Sequence, residues 1–313
     1  MRALLLTLLL AAPLAGCGED PAPASAAADA APTDAAPAAD EMLADVDPAD
    51  LDASRIVVLG GPIAETVYAL GLGDRVVGTD QSSLYPASVL DKPRLNYFRQ
   101  TSAEGVLSLE PTLVLATDDT GPPAVLGQIE ASGVRVVRVP SPVTIDQAVA
   151  RVRALGRVLG RQAEADSLVG RMQRQLADAE ALRPATPPRV LFVYARGAGL
   201  VQVMGAGTGA DLVLRLAGAE NAVSVEGDVP LTAEAVVAAQ PDVVVIPSRG
   251  LESLGGPEGL FAQPGLAQTP AGEALRVVAV DDALLLGFGP RVGEAVAELA
   301  RALSQASAEP SGR

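Results

Sequence analysis

The chain has 313 residues and a net charge of −15, from 38 acidic and 23 basic side chains. It contains one cysteine, no histidine, no tryptophan, four tyrosines and four phenylalanines. That composition excludes zinc fingers, histidine-based metal sites and a Ser-His-Asp triad, and a lone cysteine forms no internal disulfide. An acidic chain with a single lysine (Lys92) and few aromatics lacks the footprint of a nucleic-acid binder, so no nucleic-acid partner is expected. The length accommodates two lobes with a substantial core.

Residues 1–17 begin Met-Arg, continue as an apolar run from Ala3 to Leu14 and end Ala15-Gly16-Cys17. A basic start, a short apolar stretch and small residues before a break describe a secretory signal. The run is too short to anchor in a bilayer as a spanning helix. Leu14-Ala15-Gly16-Cys17 resembles the bacterial lipobox, where cleavage leaves a lipidated cysteine as the first residue. Export and lipid anchoring through Cys17 are therefore predicted, facing the periplasm or the outer side of the cytoplasmic membrane. Residues 18–50 are mostly Ala, Pro, Asp and Glu, with nine acids and no base. So little large apolar surface does not offset the entropy of ordering, and a disordered tether is expected.

From Arg55 the pattern becomes α/β. Strand-like runs are 55–59, 75–78, 113–116 and 134–139, and Ile63 to Leu70 has helical spacing. Short apolar strands alternating with helices predict a mostly parallel, helix-covered sheet, giving a first lobe over 54–142. Residues 144–183 contain no proline and space Ala148, Val152, Leu155 and Val158 as one helical face. They predict a linking helix over 143–183, with Gly160 as the place where it would break. Pro184, Pro187 and Pro188 end it. A second lobe over 188–305 contains runs at 189–193, 243–246 and 277–280 and a closing helix over 292–303. The expected fold is α/β, with two Rossmann-like lobes of mostly parallel sheet joined by one long rigid helix.

The lobes share a short repeat. Ser102-Ala-Glu-Gly-Val-Leu107 with Pro111 parallels Thr232-Ala-Glu-Ala-Val-Val237 with Pro241. Each Ser or Thr is a candidate N-cap, which places Glu104 and Glu234 in first helical turns. Gly205-Ala-Gly-Thr-Gly209 resembles a phosphate-binding turn but lacks the spacing of a dinucleotide fingerprint and a Walker lysine. Asp118-Asp119 has no accompanying ligand cluster. No nucleophile–base pair is visible, so the chain is not read as an enzyme.

Two tyrosines stand in the loop-rich segment of the first lobe, Tyr85 in Ser-Leu-Tyr-Pro86 and Tyr97 in Tyr-Phe-Arg-Gln100. Open α/β sheets place binding loops there. A phenolate oxygen is a hard ligand for ferric iron, and a neighbouring guanidinium such as Arg99 favours the ionised form. A tyrosine capping an apolar surface with its hydroxyl in water is the plainer alternative at this point.

Gly60-Gly61 to Gly71, with Glu65-Thr-Val-Tyr-Ala-Leu-Gly, resembles the first strand and helix of class III periplasmic binding proteins of bacterial ABC importers. Ser83-Leu-Tyr-Pro86, Tyr97-Phe-Arg-Gln100, Ser102 to Leu107, Ser248-Arg-Gly-Leu-Glu-Ser-Leu-Gly-Gly256 and Leu285-Leu-Gly-Phe-Gly-Pro-Arg291 are similar to the haemin-binding branch, in order from about residue 54 to 303, which places Tyr85 and Arg99 in the expected haem pocket. The resemblance implies that Tyr97 ligates haem iron and that Arg249 reaches over from the second lobe. It further implies that Glu104 and Glu234 dock onto an ABC permease and its ATPase. Some relatives add a second-lobe histidine. Here Phe192-Val-Tyr-Ala-Arg-Gly197 offers Tyr194 and Arg196 instead, so one haem on a single tyrosine is expected. Phe98, Leu251 and Phe288 are candidates for the apolar pocket wall. The function so implied is capture of ferric haem between the lobes by a monomer and delivery to an inner-membrane permease. The same fold carrying a ferric siderophore or a corrinoid, or an exported α/β enzyme using the Gly205–Gly209 turn, are the alternatives.

Overall fold

The structure is a computed structural model, and it describes residues 43–197, 199–281 and 287–308. In the first lobe, β1 (Ile56–Leu59) leads into α1 (Gly61–Ala69) and β2 (Val76–Thr79). After a long loop come α2 (Ala103–Leu107), β3 (Leu113–Thr117), α3 (Val125–Ala131) and β4 (Arg135–Val139). The sheet order is β2-β1-β3-β4, parallel throughout. Every residue of β1 and β3 is buried. This is why these strands read as unbroken apolar runs rather than alternating ones.

The linker is two helices, α4 (Ile145–Val158) and α5 (Gln162–Glu180), not the single helix expected over 143–183. A capping box of Thr144 and Gln147 starts α4. At its end Gly160 takes a φ of +65°, open to glycine at little cost, and the Arg161 amide closes onto the Gly156 carbonyl at 2.6 Å. The chain turns there and α5 runs on against α4.

The second lobe holds β5 (Arg189–Ala195), β6 (Val201–Met204), α6 (Gly209–Leu216), β7 (Glu220–Asn221) and β8 (Asp228–Pro230). These are followed by α7 (Ala233–Ala239), β9 (Val243–Pro247), α8 (Ser248–Ser253), α9 (Pro257–Phe261), α10 (Pro270–Glu273), β10 (Val277–Val280) and α11 (Val292–Ala308). The order is β10-β9-β5-β6-β8, with β7 also pairing β5. β10, β9, β5 and β7 are parallel, whereas β6 and β8 extend the sheet antiparallel. That antiparallel extension is absent from the sequence expectation.

One apolar cluster runs from the first sheet (Ile56, Leu115) through α4 and α5 (Leu155, Met172) to the second lobe (Phe192, Leu299). Each lobe has a further cluster on its other face. Residues 43–50 belong to this body, which corrects the end of the tether expected over 18–50. Leu43 and Val46 are buried in the shared core, and Arg157 of α4 donates to both their carbonyl oxygens, at 2.6 and 3.3 Å.

Candidate functional site

A cavity of about 630 Å³ opens between the lobes, a size usual for small-molecule and cofactor clefts. Its walls are loops that follow the C-terminal ends of the parallel strands, where open α/β sheets bind ligands. The first lobe supplies Gly60 and Gly61 after β1, Ser82 after β2, Tyr97 to Gln100, and Ser141 after β4. The second lobe supplies Tyr194 at the end of β5, Arg196, Arg249 in the first turn of α8, and Gly287.

Asp80, at the end of β2, is fully buried and organises the first wall. Its carboxylate accepts from the Gly60 amide (2.9 Å), the Ser82 amide (2.9 Å), the Ser82 and Ser83 hydroxyls and the Phe98 amide (3.2 Å). One side chain thus ties the β1–α1 turn to the loop that carries Tyr97. That loop is pinned again where Gly121 donates to the Phe98 carbonyl and accepts from the Thr101 amide. Tyr97 is half-buried, its ring 4.4 Å from that of Phe98 between centroids. Phe98 lines the cleft as expected of a pocket wall. Phe288 lies in the core, and Leu251 packs against the second-lobe core.

The cation that meets Tyr97 comes from the other lobe. The Arg196 guanidinium carbon lies 5.6 Å from the Tyr97 ring centroid and 5.7 Å from that of Tyr194, in the range of a cation–π contact. Burial alone would lower Arg196, but its interactions with the Tyr194 and Tyr97 hydroxyls more than offset this, and it stands above the ordinary arginine value. Arg99, the neighbour expected to act on Tyr97, is turned to Asp119 at 2.6 Å, with both side chains at least half exposed. Tyr85 does not line the cleft. Its ring lies under Arg291, whose guanidinium carbon is 3.6 Å from the centroid.

A charged layer lies deeper. Arg291 holds Glu65 of α1 through two bonds, Nη2–Oε1 at 2.6 Å and Nε–Oε2 at 3.2 Å. Burial raises Glu65 above the usual glutamate range, with Arg291 acting the other way. Arg151 of α4 is 3 % exposed, and burial lowers it to about 10.

Glu104 and Glu234 are exposed in the first turns of α2 and α7, each capped as expected by Ser102 and Thr232. In the Gly205–Gly209 turn, the Gly207 amide donates to Asp211 of α6, so the turn is closed on the acid of the helix that it leads into. Asp118 is held by Ser141 and Thr117, and among the described residues no cluster of His, Cys, Asp or Glu is arranged to hold a metal. Cys17 lies outside the described residues. Asp80 and the Glu65–Arg291 pair are the site features that sequence reasoning missed. The run Asp80-Gln-Ser-Ser is an Asx-turn pattern, which marks Asp80 locally but not its distant partners.

Residues 56–284 match the model of the periplasmic binding protein family. Two solved structures resemble the chain strongly. The periplasmic heme-binding protein RhuT from Roseiflexus sp. RS-1, in apo form, is 42 % identical with a TM-score of 0.79, over 81 % of this chain and 99 % of that one. Periplasmic heme-binding protein BhuT in complex with two hemes is 41 % identical with a TM-score of 0.76, over 81 % and 99 %. Two curated relatives are more distant. The ABC transporter substrate-binding lipoprotein YvrC of Bacillus subtilis is 28 % identical over 80 % of each chain. A cobalamin-binding protein of Halobacterium salinarum is 26 % identical over 81 % of this chain and 70 % of its own. With the family matched across both lobes and a 42 % identical relative covered almost end to end, the chain belongs to the periplasmic binding protein family.

Proposed function

We propose that the protein captures ferric haem in the inter-lobe cleft, with Tyr97 as the iron ligand, and delivers it to an inner-membrane ABC permease. The observation that carries this reading is a single guanidinium, Arg196, set against two phenols from opposite lobes, Tyr97 and Tyr194. A phenolate is a hard oxygen donor for ferric iron and a recognised haem ligand, and an adjacent guanidinium balances its charge. Phe98 beside Tyr97 offers an apolar surface for the macrocycle, and the exposed Arg249 at the cleft rim suits a propionate. Haem is the cargo, held one per monomer on Tyr97. The two structures at more than 40 % identity, both of heme-binding proteins, favour haem over the corrinoid reading, which rests on a 26 % identical relative.

Glu104 and Glu234, one exposed acid per lobe, are the docking contacts for the permease and its ATPase. Export through residues 1–17 and anchoring of the mature protein by lipid on Cys17 complete the reading, in keeping with a lipoprotein among the relatives. The test is an absorption titration with ferric haemin. Saturation at one equivalent with a high-spin tyrosinate-type spectrum is expected, lost in a folded Tyr97→Ala variant. Unchanged affinity in that variant would refute Tyr97 as the ligand. A parent protein without a saturable haemin spectrum would move the cargo to a corrinoid or ferric siderophore, to be checked by titration with cyanocobalamin.

A further inference from the structure

We propose that Glu65 and Arg291 form an inter-lobe latch, braced by Tyr85 and Arg151, that sets the width of the cleft and so the residence time of its ligand. The functional half of this inference rests on the cleft being the ligand site. Glu65 belongs to α1 of the first lobe and Arg291 to the segment entering α11 of the second. Their contact is a two-bond fork, at 2.6 and 3.2 Å, which fixes angle as well as distance. On its other side the Arg291 guanidinium rests on the Tyr85 ring at 3.6 Å, again from the first lobe. A second-lobe cation is therefore gripped from two sides by first-lobe groups.

The same second-lobe segment is held from the linker. Arg151 donates to the Phe288 carbonyl at 2.6 Å and to the Gly287 carbonyl at 3.2 Å. Steric fit closes the arrangement. A Cβ on Gly287 would collide with Pro62, and one on Gly289 would lie 2.9 Å from the Glu65 carboxylate. The first turn of α1 and residues 287–291 thus meet with no slack. Glu65, Arg151 and Gly287 also line the cleft that holds Tyr97 and Arg196, so a change in this contact alters the spacing of the cation and the phenol directly. Buried ion pairs contribute little net stability but define geometry, which is what a cleft of fixed width requires.

The test uses the chain's lone cysteine to advantage. In a Cys17→Ser background, cysteines placed at exposed Gln128 of α3 and Glu258 of α9 take one spin label per lobe. Pulsed electron–electron distance measurement without haem should give a narrow inter-lobe distribution for the parent. Glu65→Gln should broaden it, and Arg291→Lys, which keeps the charge and loses the fork, should broaden it less. Haemin transfer to apomyoglobin should be about tenfold faster in Glu65→Gln, because loss of a desolvated charge pair appears mainly in the off-rate. A distribution of parental width in folded Glu65→Gln would overturn the proposal. If that variant does not fold, Tyr85→Leu, at a 45 % exposed position, carries the same expectation and the same overturning result. Failure of the haem reading shows separately, as absent haemin binding by the parent, while the distance measurement decides the latch.

Discussion

Arg196 and Arg99 are both close to Tyr97, and their different pairing singles out Arg196 for the part that the proposed haem site gives to a guanidinium. Arg99 is paired to Asp119 at the surface, where an ion pair contributes little and leaves little charge to spare. Arg196 has two phenols as partners. Replacing Arg196 by Leu should weaken haemin binding about tenfold, the scale of a lost charge-assisted contact of roughly 1.5 kcal/mol, and Arg99→Leu should cost distinctly less. Equal losses in the two titrations would break the assignment. Tyr97 and Arg99 are visible in the sequence as loop residues of suitable chemistry, and Tyr194 and Arg196 come into view only through the family resemblance. Which cation meets which phenol is not visible, because the Asp119 that claims Arg99 is brought there by folding. Asp80 shows the same boundary. Its local turn is readable, but its bonds to Gly60 and Phe98 link segments about 20 residues away on either side. Asp80→Ala should lower stability by about 2–3 kcal/mol, the cost of stranding buried donors. It should also reduce haemin affinity, since the Tyr97 loop loses its tie. Denaturant unfolding and titration of the same variant check both halves.

At the scale of elements, the central strands β1, β3 and β9 follow from the sequence, because burial on both faces leaves an unmistakable apolar run, and the closing helix follows from its helical spacing. The antiparallel strands β6 and β8 do not, being short and only partly buried. Nor does the order of residues 43–50, whose Asp, Pro and Ala reproduce the composition of a tether. Only Leu43 and Val46, three residues apart, hint at a contact. A chain begun at Ala49 should lose on the order of 3 kcal/mol of apolar burial from those two side chains and melt several degrees below one begun at residue 40. Equal melting temperatures would show that the segment adds nothing to the body. The Glu65–Arg291 latch makes a prediction of definite sign. Burial raises Glu65, with Arg291 and Arg151 opposing and Asp281 reinforcing. The native state then keeps a proton that the unfolded chain has released. Relative to Glu65→Gln, the parent should lose stability as pH climbs from the ordinary glutamate value through the raised one. A difference that grows in the parent's favour over that range would mean the ion pair outweighs desolvation.

Across the whole molecule, one core passes from the first sheet through α4 and α5 into the second lobe, and the latch ties α1 to the segment before α11 at the same junction. A ligand held in such a body is not freed by easy opening of the lobes, so the partner that receives it must supply the distortion. That partner has to grip both lobes at once. The repeat that places Glu104 and Glu234 alike, each exposed in the first turn of a Ser- or Thr-capped helix, gives each lobe a matching acid, and the proposed docking takes these two as the handles. Their equivalence is legible in the sequence because the cap, the acid and the following proline recur at identical spacing. Exposed acids in helical first turns have little else to do for stability, the favourable dipole term being only about 0.3–1 kcal/mol. Replacing both by Ala should therefore leave the melting temperature and the haemin titration essentially unchanged, while abolishing stimulation of the transporter's ATPase in reconstituted vesicles. Each single replacement should leave a weakened response, because one lobe remains gripped without leverage on the other. Full stimulation by the double variant would remove the glutamates from docking and leave the release mechanism without its points of force.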